Sequence, residues 1–154
     1  MSRIMTIDPG YSALGYAVGE ENKLIEYGTV YFKGKEETRL TEIYLKIKEL
    51  IQRHNPDTVL IEDYRVYKDG YKGKHKTAIV VGIICAIAYE HKIKPTFVFH
   101  NSWKAKFQRV YFTIVNRLSE EWKKALGEGS EHSRDAVMML LPEVVSLKAL
   151  LKGG

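Results

Sequence analysis

Residues 4–7 form a short apolar run closed by Asp8-Pro9-Gly10, a turn-forming tripeptide, and alternating apolar residues resume over 11–19. This pattern predicts a strand, a turn and a second strand. Over 24–32, Ile25, Tyr27, Thr29 and Tyr31 alternate with other residues, and β-branched and aromatic types dominate, which predicts a third strand. The period then changes. Between 36 and 54, Leu40, Ile43, Tyr44, Ile47, Leu50 and Ile51 recur at helical spacing, with Lys and Glu on the other face. Asn55-Pro56-Asp57 breaks that helix, and the continuous apolar run 58–61, ending on Glu62, has the character of a strand buried on both faces. Residues 64–76 read as an exposed loop, 77–91 as a helix apolar almost all the way round, and 96–99 as a short strand introduced by Pro95. From Ser102 the pattern is helical, with breaks expected around Arg109 and at 126–130. A last helix is expected over 131–141, ended by Pro142, with a peripheral tail over 143–154.

The order βββαβαβ followed by helices implies an α/β fold: a mixed five-stranded sheet, three antiparallel strands first, flanked by helices. A length of 154 residues suits one domain spanning 1–154, since domains most often run to roughly 100 to 150 residues. Lys and Arg outnumber acids by 24 to 19, giving a net charge of +5 and a pI near 9.2, a balance that favours polyanionic partners. Cys85, the single cysteine, lies inside an apolar run, so no intrachain disulfide can form, and a buried thiol in a reducing, cytoplasmic compartment is expected. The N-terminus lacks the apolar stretch of a signal peptide, and the most apolar run is shorter than the ~20 residues of a membrane span, so no membrane association is expected.

In such a sheet, ligands gather where strands end, and two apolar strands end on carboxylates, Asp8 and Glu62. If the first and fourth strands are neighbours, the two acids repel each other unless a cation balances them, so they form either a proton-handling dyad or a metal site. His132 and Asp135, three residues apart, project from one face of the last helix and can share one metal. Each residue also has an ordinary explanation. Asp8 can be a turn former and Glu62 the polar edge of a strand, while His132 can be solvated and Asp135 can favour the helix dipole.

Ile7-Asp8-Pro9-Gly10 followed by Gly15-Tyr16-Ala17, then Leu60-Ile61-Glu62, then His132-Ser133-Arg134-Asp135-Ala136, resembles the RuvC-type Holliday junction resolvases of the ribonuclease H-like superfamily. The pattern covers most of the chain in matching order, and the divergent helical C-terminal third suits a compact viral or phage-type member. The resemblance implies a ribonuclease H-like fold and a metal-dependent endonuclease resolving four-way DNA junctions. Asp8, Glu62 and Asp135 would be metal ligands, with His132 at the fourth acidic or histidine position. Two Mg²⁺ ions about 4 Å apart, with Mn²⁺ as a substitute, serve phosphodiester hydrolysis in such chemistry. Asp8 would bridge the ions with Glu62 on one side. Asp135 and neutral His132 would complete the other, unless His132 instead orients or deprotonates the attacking water.

The 64–76 loop carries five Lys or Arg against one Asp, with three tyrosines and two glycines. Arg65, Lys68, Lys72, Lys74 and Lys76 are candidates for phosphate contacts, and Tyr64 or Tyr67 for stacking on an unpaired base at a branch point, in line with the aromatic wedge known in the resolvases. An ordinary solvated basic loop is the alternative. A second basic group, Lys104, Lys106 and Arg109, follows Trp103 and would line the opposite edge of the same groove, or else form an amphipathic surface. In helix 77–91, Ile79, Val80, Val81, Ile83, Ile84, Ile87 and Ala88 leave little polar face, while Gly82 and Ala86 permit close helix approach. It is either a central core helix or, as in the resolvases, a two-fold homodimer interface, which suits two equivalent cuts in branched DNA. Two other readings stay open: an RNA-processing nuclease on the same fold, and a non-catalytic nucleic-acid-binding module. The chain contains no Gly-rich phosphate loop ending in Lys-Ser/Thr, which argues against an ATPase.

Overall fold

Alternation along the strands sorts the sheet's two faces. The computed structural model describes residues 2–63, 74–146 and 148, and these form five strands: β1 (Ile4–Asp8), β2 (Ala13–Glu20), β3 (Lys23–Tyr31), β4 (Thr58–Asp63) and β5 (Pro95–Phe99). They make one sheet in the order β3-β2-β1-β4-β5. The first three strands are antiparallel, while β4 runs parallel to β1 and β5 parallel to β4. Met5 and Ile7 of β1, with Val59 and Ile61 of β4, face the core shared with α1 (Glu36–His54) and α2 (Lys74–Glu90). The intervening residues of those strands point to the opposite face, covered by α3 (His100–Ile114), α4 (Glu120–Glu128) and α5 (Glu131–Val144). Asp8 has the parity of Ile4 and Thr6, and Glu62 that of Leu60, so both acids belong to the α3 and α5 side.

The expected mixed sheet and the neighbouring first and fourth strands are both present. Four local expectations are corrected. Strand β4 continues through Glu62 to Asp63, because β5 supplies a partner for each residue, Glu62 pairing with Val98 and Asp63 with Phe99. Helix α3 has no break at Arg109: Trp103, Phe107, Val110 and Ile114 are all buried at helical spacing and carry it through. Helix α5 runs past Pro142 to Val144. Proline removes one intrahelical bond, but buried Leu140, Leu141 and Val145 hold the segment, and the Val145 N–H still closes on the Leu141 carbonyl at 3.0 Å. The start of the tail is therefore core, not periphery. Helix α2 begins at Lys74, inside the stretch expected to be loop.

Helix α2 is buried on one side only. Val80, Ile84, Ile87 and Ala88 are fully buried, and each of the three larger residues contributes about 1.5–3 kcal/mol. The opposite side leaves Ile79 43% and Tyr89 82% exposed, with Gly82 and Ala86 exposed between them. Cys85 is half-buried, not fully enclosed as expected, and its surroundings push the thiol pKa up by desolvation. Among the described residues no helix is long and apolar enough to cross a membrane.

Candidate metal centre

Three contacts seat α5 on the sheet. Gly15 of β2, the register partner of Asp8, lies under the first turn of α5, where a Cβ would stand 2.0 Å from the His132 carbonyl oxygen. Only glycine permits that approach. Buried Thr6 donates its hydroxyl to the Ala136 carbonyl at 2.6 Å, tying β1 to α5 beside Asp135. Ser130 caps the helix, accepting the Ser133 N–H at 3.2 Å, and its hydroxyl also bonds Thr29 of β3.

That seating brings Asp8, Glu62 and Asp135 together: each offers a carboxylate oxygen within 4.8 Å of the others. Asp8 and Glu62 are buried, and Asp135 is half-buried. Burial first, then the charges of Glu62 and Glu131, push the Asp135 carboxyl above its ordinary pKa, with His100 and Lys104 opposing in part. His132 bonds Asp8 directly, its Nδ1 lying 3.0 Å from Oδ2. Glu62 is held by two residues that the sequence reading missed. Trp103 Nε1–H donates to Glu62 Oε2, and His100 Nδ1 lies 3.1 Å from the same oxygen. The other oxygen, Oε1, is buried and has no hydrogen-bond partner among the described residues.

A buried carboxylate oxygen without a donor, inside a group of three mutually repelling acids, lacks a positive charge. An all-oxygen donor set of this kind fits a hard divalent cation. His132 is coupled to the group through Asp8 and is not one of the three clustered ligands.

Of the basic candidates, Lys104 at the start of the second turn of α3 lies near enough to Asp135 to act on its titration. Lys106 turns to Glu143 at 3.1 Å, and Arg109 is exposed further along α3. Lys76, in the first turn of α2, pairs with Glu36 at 3.5 Å. Tyr64, Arg65, Tyr67, Lys68 and Lys72 lie outside the described residues, as does the side chain of Lys74.

The strand order and the acids on the two central strands define a ribonuclease H-like protein with a candidate metal centre. The chain belongs to the RuvC family: the sequence profile described as "Crossover junction endodeoxyribonuclease RuvC" matches residues 4–108. It is similar to that protein from Alkaliphilus metalliredigens, 44% identical over 66 residues covering 39% of this chain and 40% of the relative. It is also similar to that of Gloeobacter violaceus, 36% identical over 91 residues covering 54% and 53%. The chain thus spans about half the length, or less, of the curated relatives it matches. In fold it resembles Thermus thermophilus RuvC in complex with a Holliday junction substrate, with a TM-score of 0.70 and 18% identity over 92% of each chain. The yeast mitochondrial Holliday junction resolvase is a further match, with a TM-score of 0.68 and 13% identity over 99% of this chain and 81% of the other. The profile match ends before α5, so His132 and Asp135 join the site through the fold.

Proposed function

We propose that the chain is a one-domain, divalent-metal-dependent endonuclease that resolves four-way DNA junctions as a homodimer in the cytoplasm. The observation that carries this reading is the convergence of Asp8, Glu62 and Asp135 around a buried Glu62 oxygen that no described donor satisfies. Family membership and the likeness to a RuvC bound to a Holliday junction support the substrate class.

Asp8, Glu62 and Asp135 hold the metal, two Mg²⁺ ions or Mn²⁺ in their place. Bound there, the ions would supply the positive charge that makes an attacking water nucleophilic near neutral pH and stabilises the departing 3′ oxygen. Trp103 and His100 anchor Glu62 by Oε2 and leave Oε1 for the metal. With its Nδ1–H donated to Asp8, neutral His132 carries its lone pair on Nε2. Its ring is half-exposed, so this nitrogen can take a proton from water at the strand being cut. Lys104, exposed and near enough to Asp135 to act on its titration, meets a phosphate's charge. The exposed apolar side of α2 joins two copies, which places one site on each of two equivalent strands.

The test offers labelled four-way junctions, linear duplex, flaps and RNA side by side with Mg²⁺. Paired symmetric nicks in the junction alone are expected. Cleavage of RNA in preference, or no cleavage of any substrate, overturns the reading.

A further inference from the structure

Where α1 and α2 begin, against the loop that follows Asp8, lies a cavity of about 610 Å³ that the reaction chemistry does not use. Tyr11, Ser12, Lys35, Glu36, Arg39 and Lys76 line it. The Tyr11 ring is flanked by two cations, the Arg39 guanidinium carbon 4.9 Å and the Lys76 Nζ 5.1 Å from its centroid. Arg39 is oriented by one of its five N–H donors, Nε, which bonds the Gly34 carbonyl at 2.7 Å. The 3.5 Å contact between Lys76 and Glu36 brings the first turns of two long helices together, so their positive dipole ends add to three cationic side chains.

We propose that this cavity is a phosphate-binding subsite for the DNA strand that leads into the acidic site. The proposal rests on the nucleic-acid reading above and extends it to a place away from the reacting phosphate. Distance supports it. Tyr11 is three residues from Asp8, so the chain itself limits their Cα separation to about 10 Å, roughly three nucleotide rises of about 3.4 Å. A strand whose phosphate lies at the carboxylates can therefore reach the cavity within a few nucleotides. Glu36 is the present occupant of the Lys76 charge. Its side chain is 79% exposed, and an exposed pair of this kind is worth about 0–1 kcal/mol, so a phosphate can replace it. Tyr11 supplies an apolar, π-rich wall against which a sugar or base can rest while the cations hold the phosphate.

The experiment measures binding of a fluorescent four-way junction and a linear duplex by anisotropy, in chelator, across a salt series. Each phosphate contact contributes about 0.9 to the slope of log K against log salt on duplex and about 0.7 on single strand. Arg39→Gln and Lys76→Gln are each expected to weaken binding several-fold on both DNAs and to lower the slope by about one. Lys94→Gln, the same charge change beyond the far end of α2 and about 20 Å away, is expected to leave the slope unchanged. Glu36→Gln is expected to tighten binding at low salt, and Glu37→Gln, one residue further on and not in the cavity wall, is expected not to. Equal slopes for Arg39→Gln, Lys76→Gln and Lys94→Gln overturn the proposal. So does binding of inorganic phosphate that Lys76→Gln abolishes while the slope on DNA stays the same. Should Arg39→Gln fail to fold, the Lys76 and Glu36 variants still decide. A slope change without preference for the junction over duplex keeps the subsite and sinks the resolvase reading; preference for the junction with unchanged slopes does the reverse.

Discussion

Gly15 lies against the backbone of His132: a methyl group at Gly15 would stand 2.0 Å from the His132 carbonyl oxygen and 2.8 Å from the Ser133 nitrogen. Because Gly15 is also the register partner of Asp8, this close approach, with the Thr6–Ala136 hydrogen bond, sets the distance between β1, which carries Asp8, and α5, which carries Asp135. Gly15→Ala must push α5 outward. Overpacking of this kind costs about 1–3 kcal/mol, and displacing a catalytic group by about 1 Å can cost on the order of 100-fold in rate. Urea denaturation is expected to show the first and cleavage rate the second. Wild-type activity in Gly15→Ala would mean that α5 does not set the site.

Asp8→Asn keeps the shape of the side chain and removes one of the three charges. Cleavage is expected to fall by at least about 1000-fold, which is about 4 kcal/mol of barrier. Junction affinity in chelator should hold or rise, since a negative charge facing phosphate is gone. Full activity in this variant, or cleavage by the wild type in excess chelator, would remove Asp8 and the metal from the chemistry.

Trp103 and His100 both reach Glu62 Oε2, so the carboxylate is fixed from outside the ligand set. Loss of such supporting bonds lowers metal affinity by about 10–100-fold in comparable sites. Trp103→Phe keeps an aromatic ring at this buried position but removes the N–H and part of the ring volume, while His100→Ala removes the second partner without opening the core. Mn²⁺ titration by calorimetry is expected to show weaker binding in each variant, with thermal stability nearly unchanged for His100→Ala. Unaltered Mn²⁺ affinity in both variants would reduce the pair to packing.

Much of this was legible in the sequence, and the gaps have physical causes. Alternation through 4–8, 13–20 and 23–31 is set by one strand's own two faces, and the α1 stripe by one helix's own contact, so each shows locally. Asp8, Glu62 and Asp135, which the fold brings together, stand at strand ends or at a helical i, i+3 spacing, and these local signals single them out in the sequence beside the family resemblance. His100 and Trp103 are not singled out, since nothing near position 100 refers to position 62. The link is the parallel register Glu62 to Val98, which places the start of α3 beside Glu62. The polar run His100-Asn101-Ser102-Trp103, directly after the short strand at 96–99, is the available signal. The expected break at Arg109 and stop at Pro142 failed for the opposite reason: tertiary burial of Val110, Ile114, Leu140 and Leu141 outweighed local preference.

Two carboxylates respond to pH in opposite senses. Glu26 is raised by its burial, but hydrogen bonds from Tyr16 and His54, then the charges of His54 and Arg53, outweigh this and hold it below its ordinary pKa. It binds its proton more weakly folded than unfolded, so its stabilisation is present above the unfolded value of ~4.3 and lost as pH falls through the folded one. Asp135 is shifted up, so it costs stability above its folded pKa, and that cost fades as pH falls toward the unfolded value of ~3.9. In chelator at neutral pH, Asp135→Asn is expected to raise the urea midpoint and Glu26→Gln to lower it. Both differences should shrink on acidification to about pH 4. A destabilised Asp135→Asn protein at neutral pH would show that the three acids do not repel one another in the metal-free state.

Gly82 gives the cleanest test of pairing through α2. A Cβ at this position meets nothing within 4 Å, and the residue lies on the exposed side between Ile79 and Tyr89. Within one chain, Gly82→Glu should therefore be tolerated, and replacing a mid-helix glycine removes a helix penalty of up to about 1 kcal/mol. Between two chains the same carboxylate would be buried against its own symmetry mate, where an unpaired charge is strongly unfavourable. Light scattering at micromolar concentration is expected to give a dimer for the wild type and a folded monomer for Gly82→Glu. That monomer should still bind a junction while losing the paired timing of the two nicks. A monomeric wild type, or a Gly82→Glu protein that remains dimeric, would place the subunit contact somewhere other than this face of α2.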